Sequence, residues 1–376
     1  MDSERWGHTI NQDLETGIEN PKLSMPSPSL SDLPPPPSGK SGWPWVEETP
    51  QLTDRMAEGS PWPRVSIVTP SYNQGQFLEE TIRSVLLQGY PNLEYIIIDG
   101  GSTDQSVAII EKYEAWLAYW TSKPDRGQSH AFNKGLQRAK GQVVACLNSD
   151  DMYLSGTLQQ VLRYYLQHEE VDIVYGDCQV INDKGRPTTI YRSRPFDLFK
   201  ELCLNSMNQP SVFMKRRVVD LVGYFDENLH YTMDIDYWFR AALHVEFAYI
   251  PVELTAFRIS EHSKTGVTLI PFARERREVL EKFFLLYADS NMQKWRKSVF
   301  SWDHYRAGSQ LYVENHRDLA LREFIEVIKL EPFTFKTLAA LLAIFDIHAN
   351  TNFFGRLAGG LPINLTPSRR YKAKIW

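Results

Sequence analysis

Between residues 64 and 160 the chain alternates apolar, β-branched runs with stretches of helical spacing, and that alternation leaves few folds open. "RVSIVT", "EYIIID" and "QVVACLN" are short, nearly continuous apolar runs, the pattern of strands buried on both faces. Leu78, Ile82, Val85 and Leu86 recur at helical spacing after the first run. A second helix is expected over 105–118, and a third carries Phe132, Gly135, Leu136 and Ala139. "AYWTS" reads as a short strand, "KPDRGQSH" as a loop, and the chain re-enters a helix near Ser155. Strands and helices alternating at this pace predict an α/β fold, a Rossmann-like, mostly parallel sheet flanked by helices.

The pattern loosens after residue 172. "VDIVYGD" and "QPSVFM" read as strands, "DIDYWFRAAL" as a helix and "EFAYIPVELTAFR" as one or two closing strands. Beyond 270 the spacing is helical, through "RERREVLEKFFLLY", "RDLALREFIEVIKLEP" and "TLAALLAIFDI". One of these helices resembles part of a tetratricopeptide unit, but such units need about three repeats, so a helical C-terminal extension is expected instead. "SMPSPSLSDLPPPPSGKSG" near the start favours extended backbone and has little to bury. The expected organisation is a disordered, dispensable tail over 1–60, the α/β domain over 61–285 and the helical extension over 286–376.

A net charge of −5 argues against a nucleic-acid binder. Cys146, Cys178 and Cys203 show no CxxC spacing and read as buried thiols. No signal-like segment or spanning run of about 20 apolar residues is present, so a cytoplasmic location is expected. The basic, aromatic end "SRRYKAKIW" adds an expected contact with the inner face of a membrane.

In an open parallel sheet, ligands bind at the carboxyl ends of the strands. Pro70, Ser71, Tyr72 and Asn73 follow the first strand, Asp99 to Asp104 the second, and Asn148, Ser149, Asp150 and Asp151 the third long one. Each has a bland reading: "DGGSTD" as a capped turn, Asp150 and Asp151 as a solvated turn, Asp234 as a helix cap with Asp236 pairing Arg240. Three acidic loops at one edge nevertheless have no structural need. A nucleoside diphosphate supplies one, because Mg²⁺ or Mn²⁺ bridges carboxylates to phosphate oxygens.

The stretch 64–160, with "VSIVTPSYNQGQFLEETIRSVLLQGYPNLEYIIIDGGSTD" and "KPDRGQSHAFNKGLQRAKGQVVACLNSDD", resembles family 2 glycosyltransferases of the GT-A fold. The likeness continues more weakly to about 265 through "DIDYWFR" and "FRISEHSKT". It implies an inverting transfer from a nucleotide-diphosphate sugar to a glycan or lipid-linked acceptor, in polysaccharide synthesis, with Mn²⁺ or Mg²⁺. It further implies donor contacts from Pro70, Tyr72, Asn73, Asp99, Ser102, Asn148, Ser149 and Arg258. Asp150, Asp151 and His262 would be metal ligands and Asp234 the general base. Three departures stand out. Gly100 replaces a frequent second Asp, Asn148 the first Asp of the metal motif, and Met233 a Glu beside the base. They keep open an alternative, a degenerate sugar-nucleotide or glycan-binding module. No GxGxxG opens the first helix, against a dinucleotide oxidoreductase, and no Gly-rich basic loop favours a nucleotidyltransferase.

Overall fold

The computed structural model describes residues 18–19, 27–259 and 269–348. Among the described residues, ten strands form one sheet. They are β1 (Ile18–Glu19), β2 (Val65–Ser71), β3 (Leu93–Asp99), β4 (Tyr119–Ser122) and β5 (Val143–Cys146). β6 (Met152–Tyr153), β7 (Ile173–Ile181), β8 (Pro187–Tyr191), β9 (Val212–Lys215) and β10 (Phe247–Arg258) complete it. The order is β1-β4-β3-β2-β5-β9-β7-β10-β6, with β8 paired to β7. β4, β3, β2 and β5 are mutually parallel. β9 runs against both β5 and β7, so β7 and its parallel neighbour β10 share the direction of β2. The α/β expectation holds, with the three antiparallel two- to five-residue strands β1, β6 and β8 added at the margins.

The central parallel strands are covered on both faces, which is why β2, β3 and β5 are nearly continuous apolar runs. Val68, Ile96, Ile98 and Val144 point into one core. Ile67, Tyr95, Ile97 and Ala145 point into the other, as strand alternation requires. Helix α1 (Gly75–Leu86) packs Leu78, Ile82 and Val85 into the second core. α2 (Ser106–Tyr113) and α4 (Thr157–Gln167) lie on that side as well, through Ile110, Tyr113, Leu158 and Val161. α3 (Gln128–Arg138) covers the opposite face with Phe132 and Leu136. Its Gly135 is obligatory, since a Cβ there would stand 2.2 Å from Val68 Cγ1. Pro70 is tolerated in β2 because pairing with β5 has ended at Val68–Cys146.

α5 (Leu198–Leu204) and α6 (Arg216–Val222) are seven-residue helices that the periodicity did not signal. α7 (Met233–Ala241) follows, then α8 (Leu269–Leu286), α9 (Arg296–Val313), α10 (Arg317–Leu330) and α11 (Phe335–His348). Packing continues across residue 285: Phe283 and Phe284 of α8 and Val299 and Phe300 of α9 share a core with Val68. A second cluster begins at Tyr305 and joins α9, α10 and α11. No helix among the described residues is long and apolar enough to cross a membrane.

The expected disordered tail needs correction over 27–60, which is docked. Arg83 of α1 has no exposed surface. Its guanidinium donates to the carbonyls of Pro34 (2.8 Å), Pro44 (3.0 Å) and Trp45 (3.0 Å), and to Tyr113 Oη. Trp43 Nε1 donates to the Tyr153 carbonyl, and Leu33 and Trp45 are buried. A proline-rich segment cannot pair its backbone in a ladder, but its carbonyls remain acceptors, and one buried arginine satisfies three of them.

Candidate active site

The loops after β2 and β3 are stitched together. Asn73, at φ 50°, donates its N–H to Ser102 Oγ and accepts from Thr103 N through Oδ1, both at 2.8 Å. Asp99 is fully buried. It accepts from Gly101 N, Ser102 N, Ser102 Oγ and Ser122 Oγ at 2.6–3.1 Å. Asp99 and Ser102 thus shape the loop from beneath, while Tyr72 stands 62% exposed above it. Pro70 is buried within β2.

Gly100 has a steric reason to lack a side chain: a Cβ would meet Asp125 Oδ2 at 2.9 Å. Asp125, from the loop after β4, holds the Gly127 N–H at 2.8 Å, and burial pushes its carboxyl up. The sequence reading missed Asp125. Its signal was position, an acidic residue just past a strand at the same sheet edge.

In the loop after β5, Asp151 is buried and Asp150 partly exposed. Asp151 accepts from Arg258 N (2.9 Å) and Asn148 Nδ2 (3.1 Å). Burial, then the neighbouring Asp150 charge, drive its carboxyl well up. Ser149 is buried, and its carbonyl accepts from Thr81. Arg258 is buried too, donating to Glu80 Oε2 (2.5 Å), the Asp150 carbonyl (2.9 Å) and the Asn182 carbonyl (2.8 Å). In this arrangement Arg258 clamps the acidic loop rather than extending into the cleft. His262 lies outside the described residues. Among the described residues, no three His, Cys, Asp or Glu side chains form a metal cage. The exposed edge of Asp150 fits a different kind of site, where one carboxylate holds a divalent cation and substrate phosphates supply other oxygens.

The first turn of α3 joins this loop to α7. Gln128 Nε2 donates to Asn148 Oδ1 (2.5 Å), and the adjacent Ser129 Oγ contacts Met233 Sδ (2.7 Å). Asp234 follows Met233 at the start of α7, partly exposed, its carboxyl raised to about 6 chiefly by burial. Glu275 of α8 fixes the preceding turn by accepting from His230 N, Tyr231 N, Thr232 N and Thr232 Oγ1 at 2.6–2.9 Å. Its charge is a smaller cause of the Asp234 shift. Glu275 lies 41 positions beyond Asp234, and no local motif marks it. Asp236 is engaged with Arg240 (2.8 Å) and Lys282 (3.1 Å), the structural pairing expected of it. The three cysteines are buried and free.

The family model for glycosyl transferase family 2 matches residues 66–221. An uncharacterized glycosyltransferase of Rickettsia typhi is 29% identical over 228 residues, covering 57% of this chain and 70% of that protein. One of Mycobacterium tuberculosis is 33% identical over 211 residues, covering 54% of this chain and 77% of the relative. A solved mannosyltransferase of Pyrobaculum calidifontis matches with TM-score 0.54 at 18% identity, over 85% of this chain and 87% of its own. With its acidic loops gathered at one sheet edge, the chain belongs to the family 2 glycosyltransferases and is a glycosyltransferase of the GT-A fold.

Proposed function

We propose that the protein moves a sugar, with inversion, from a nucleotide-diphosphate donor to an acceptor hydroxyl, using Asp234 as general base. The observation that carries this reading is the bridge at the start of α3. Gln128 holds Asn148 of the acidic loop while Ser129 holds Met233, next to Asp234. These two contacts tie the acidic loop to the start of α7, which supports a reading in which that loop carries the diphosphate and Asp234 serves the same cleft.

Tyr72 offers an exposed ring for the nucleoside to stack on. Asn73, Asp99 and Ser102 hold the loop beneath it, and Pro70 and Ser149 shape its base. Asp125 takes the space that a residue-100 carboxylate would fill and reads the nucleoside in its place. The α3 N-terminus favours the diphosphate charge. Asp150 would hold Mn²⁺ or Mg²⁺, with Asp151, Asn148 and Arg258 keeping it in place and His262 a further candidate. Such an ion neutralises charge on the departing diphosphate. The Pyrobaculum mannosyltransferase was solved with GDP-Man and Mn²⁺, which supports this donor class and cofactor.

Asp234 accepts the acceptor's proton as the new bond forms, and one direct displacement inverts the anomeric centre. A carboxyl at about 6 is ionised at neutral pH yet more basic than an ordinary aspartate. A glycan or lipid-linked acceptor in polysaccharide synthesis completes the reading, in the reducing cytoplasm that three free thiols suit.

The test is nucleoside diphosphate release across a panel of UDP- and GDP-sugars, with Mn²⁺ and with excess chelator. Transfer should require the ion, and Asp150→Ala should abolish it while weakening diphosphate binding. Wild-type transfer undiminished in chelator would overturn the metal role. Donor binding with no transfer to any acceptor would leave the degenerate binding module.

A further inference from the structure

Helix α11 is built inside out. Every exposed position between Phe335 and Ile347 is a Phe or Leu: Phe335 (66%), Leu338 (56%), Leu341, Leu342 and Phe345 (69%). Their spacing of three and four places them on one stripe. Both charged side chains of this stretch point inward. Lys336 is 5% exposed and pairs with Glu331 at 2.5 Å, and Asp346, 1% exposed, meets Tyr312 Oη. Phe333, 97% exposed, extends the stripe into the preceding turn. The opposite face, through Ala339, Ala340 and Ala343, is already used against α9 and α10. An ordinary surface helix would turn its charges to water and its large apolar groups inward. A contiguous apolar stripe of this size marks an interaction surface.

Charge identifies the partner. The 28 residues after α11 carry Arg356, Arg369, Arg370, Lys372 and Lys374 and no Asp or Glu, in a chain whose net charge is −5. An anionic bilayer takes both features at once: acyl chains accept the Phe and Leu side chains, and headgroups attract the cations. We propose that the outward face of α11 is a docking surface for an anionic lipid bilayer. The inference is independent of the catalytic reading.

The experiment is flotation of the full chain with vesicles of phosphatidylcholine alone and of phosphatidylcholine with phosphatidylglycerol, at low and high salt. Binding should favour the anionic vesicles at least tenfold and weaken with salt. The variant Leu338→Ser/Leu342→Ser/Phe345→Ser should lose at least tenfold of that binding with donor binding unchanged; these side chains are exposed, so its melting temperature should hold. If the triple variant melts early, the single Phe345→Ser carries the same test with a smaller loss. Absence of wild-type binding would overturn the proposal, as would a variant that floats like wild type. A wild-type dimer that the variant dissociates, without vesicle binding, would assign the face to a second copy.

Discussion

Asp234→Asn should slow the enzyme and stabilise it at the same time. The amide keeps the shape of the carboxylate but cannot accept the hydroxyl proton. Loss of a general base typically costs about 10²–10⁴ in rate, roughly 3–5 kcal/mol of barrier. The stability effect follows from the same desolvation. Asp234 ionises at about 6 in the fold against 3.8 ordinarily. As pH rises from about 4 to 6, the unfolded chain loses this proton first, so folding stability declines over that window and then levels off. Allowing for the partial exposure of the carboxyl, the ionised group costs about 1–2 kcal/mol at pH 7. Asparagine removes that cost, so the variant should melt higher at pH 7, with the gain vanishing near pH 4. The wild-type transfer rate should rise with pH through about 6, and the residual rate of the variant should not. The assay is diphosphate release from pH 5 to 8, with melting curves at pH 4.5 and 7. A helix cap predicts otherwise, because Asn caps about as well as Asp. A variant within about threefold of wild type, or a flat wild-type profile, would refute the assignment.

Deleting residues 1–60 should lower stability by several kcal/mol, because the buried Leu33 and Trp45 would be lost, the apolar surface beneath them would meet water, and the Arg83 guanidinium would exchange three carbonyl partners for solvent; an unchanged melting temperature would mean that the arm is dispensable after all. Asp125→Ala should raise donor KM about tenfold with kcat nearly unchanged, as expected when uniform binding is lost. Adding Gly100→Asp to that variant should restore donor affinity, whereas Gly100→Asp alone should weaken it against the Asp125 carboxylate. Failure of the double variant to recover would show that the two positions are not interchangeable.

Much of the fold was legible in the chain because the signals are local. The apolar runs at 65–71, 93–99 and 143–146 alternate with helical spacing, and period together with burial on two faces requires the layered α/β sheet. The polar and acidic residues at strand ends likewise mark the sheet edge at which the site is proposed. The seven-residue α5 and α6 were not legible, since a helix of about two turns carries too few residues to show a period.

Hydrogen-bond partnership is set by packing, not by spacing along the chain, and there the sequence was silent. Composition marks 27–60 as unable to build a ladder, and only the buried Arg83 reveals that its carbonyls have a partner. Arg258 reads as a cation for a diphosphate, yet the fold commits it to Glu80 and two carbonyls. Asp125 acquires meaning from a contact with Gly100, and Glu275 from three backbone N–H groups some 43–45 positions earlier. Residue type and period dictate which elements form and which edge is acidic. Which carboxylate is locked, which is desolvated and which faces the cleft depends on neighbours that only the folded chain brings together.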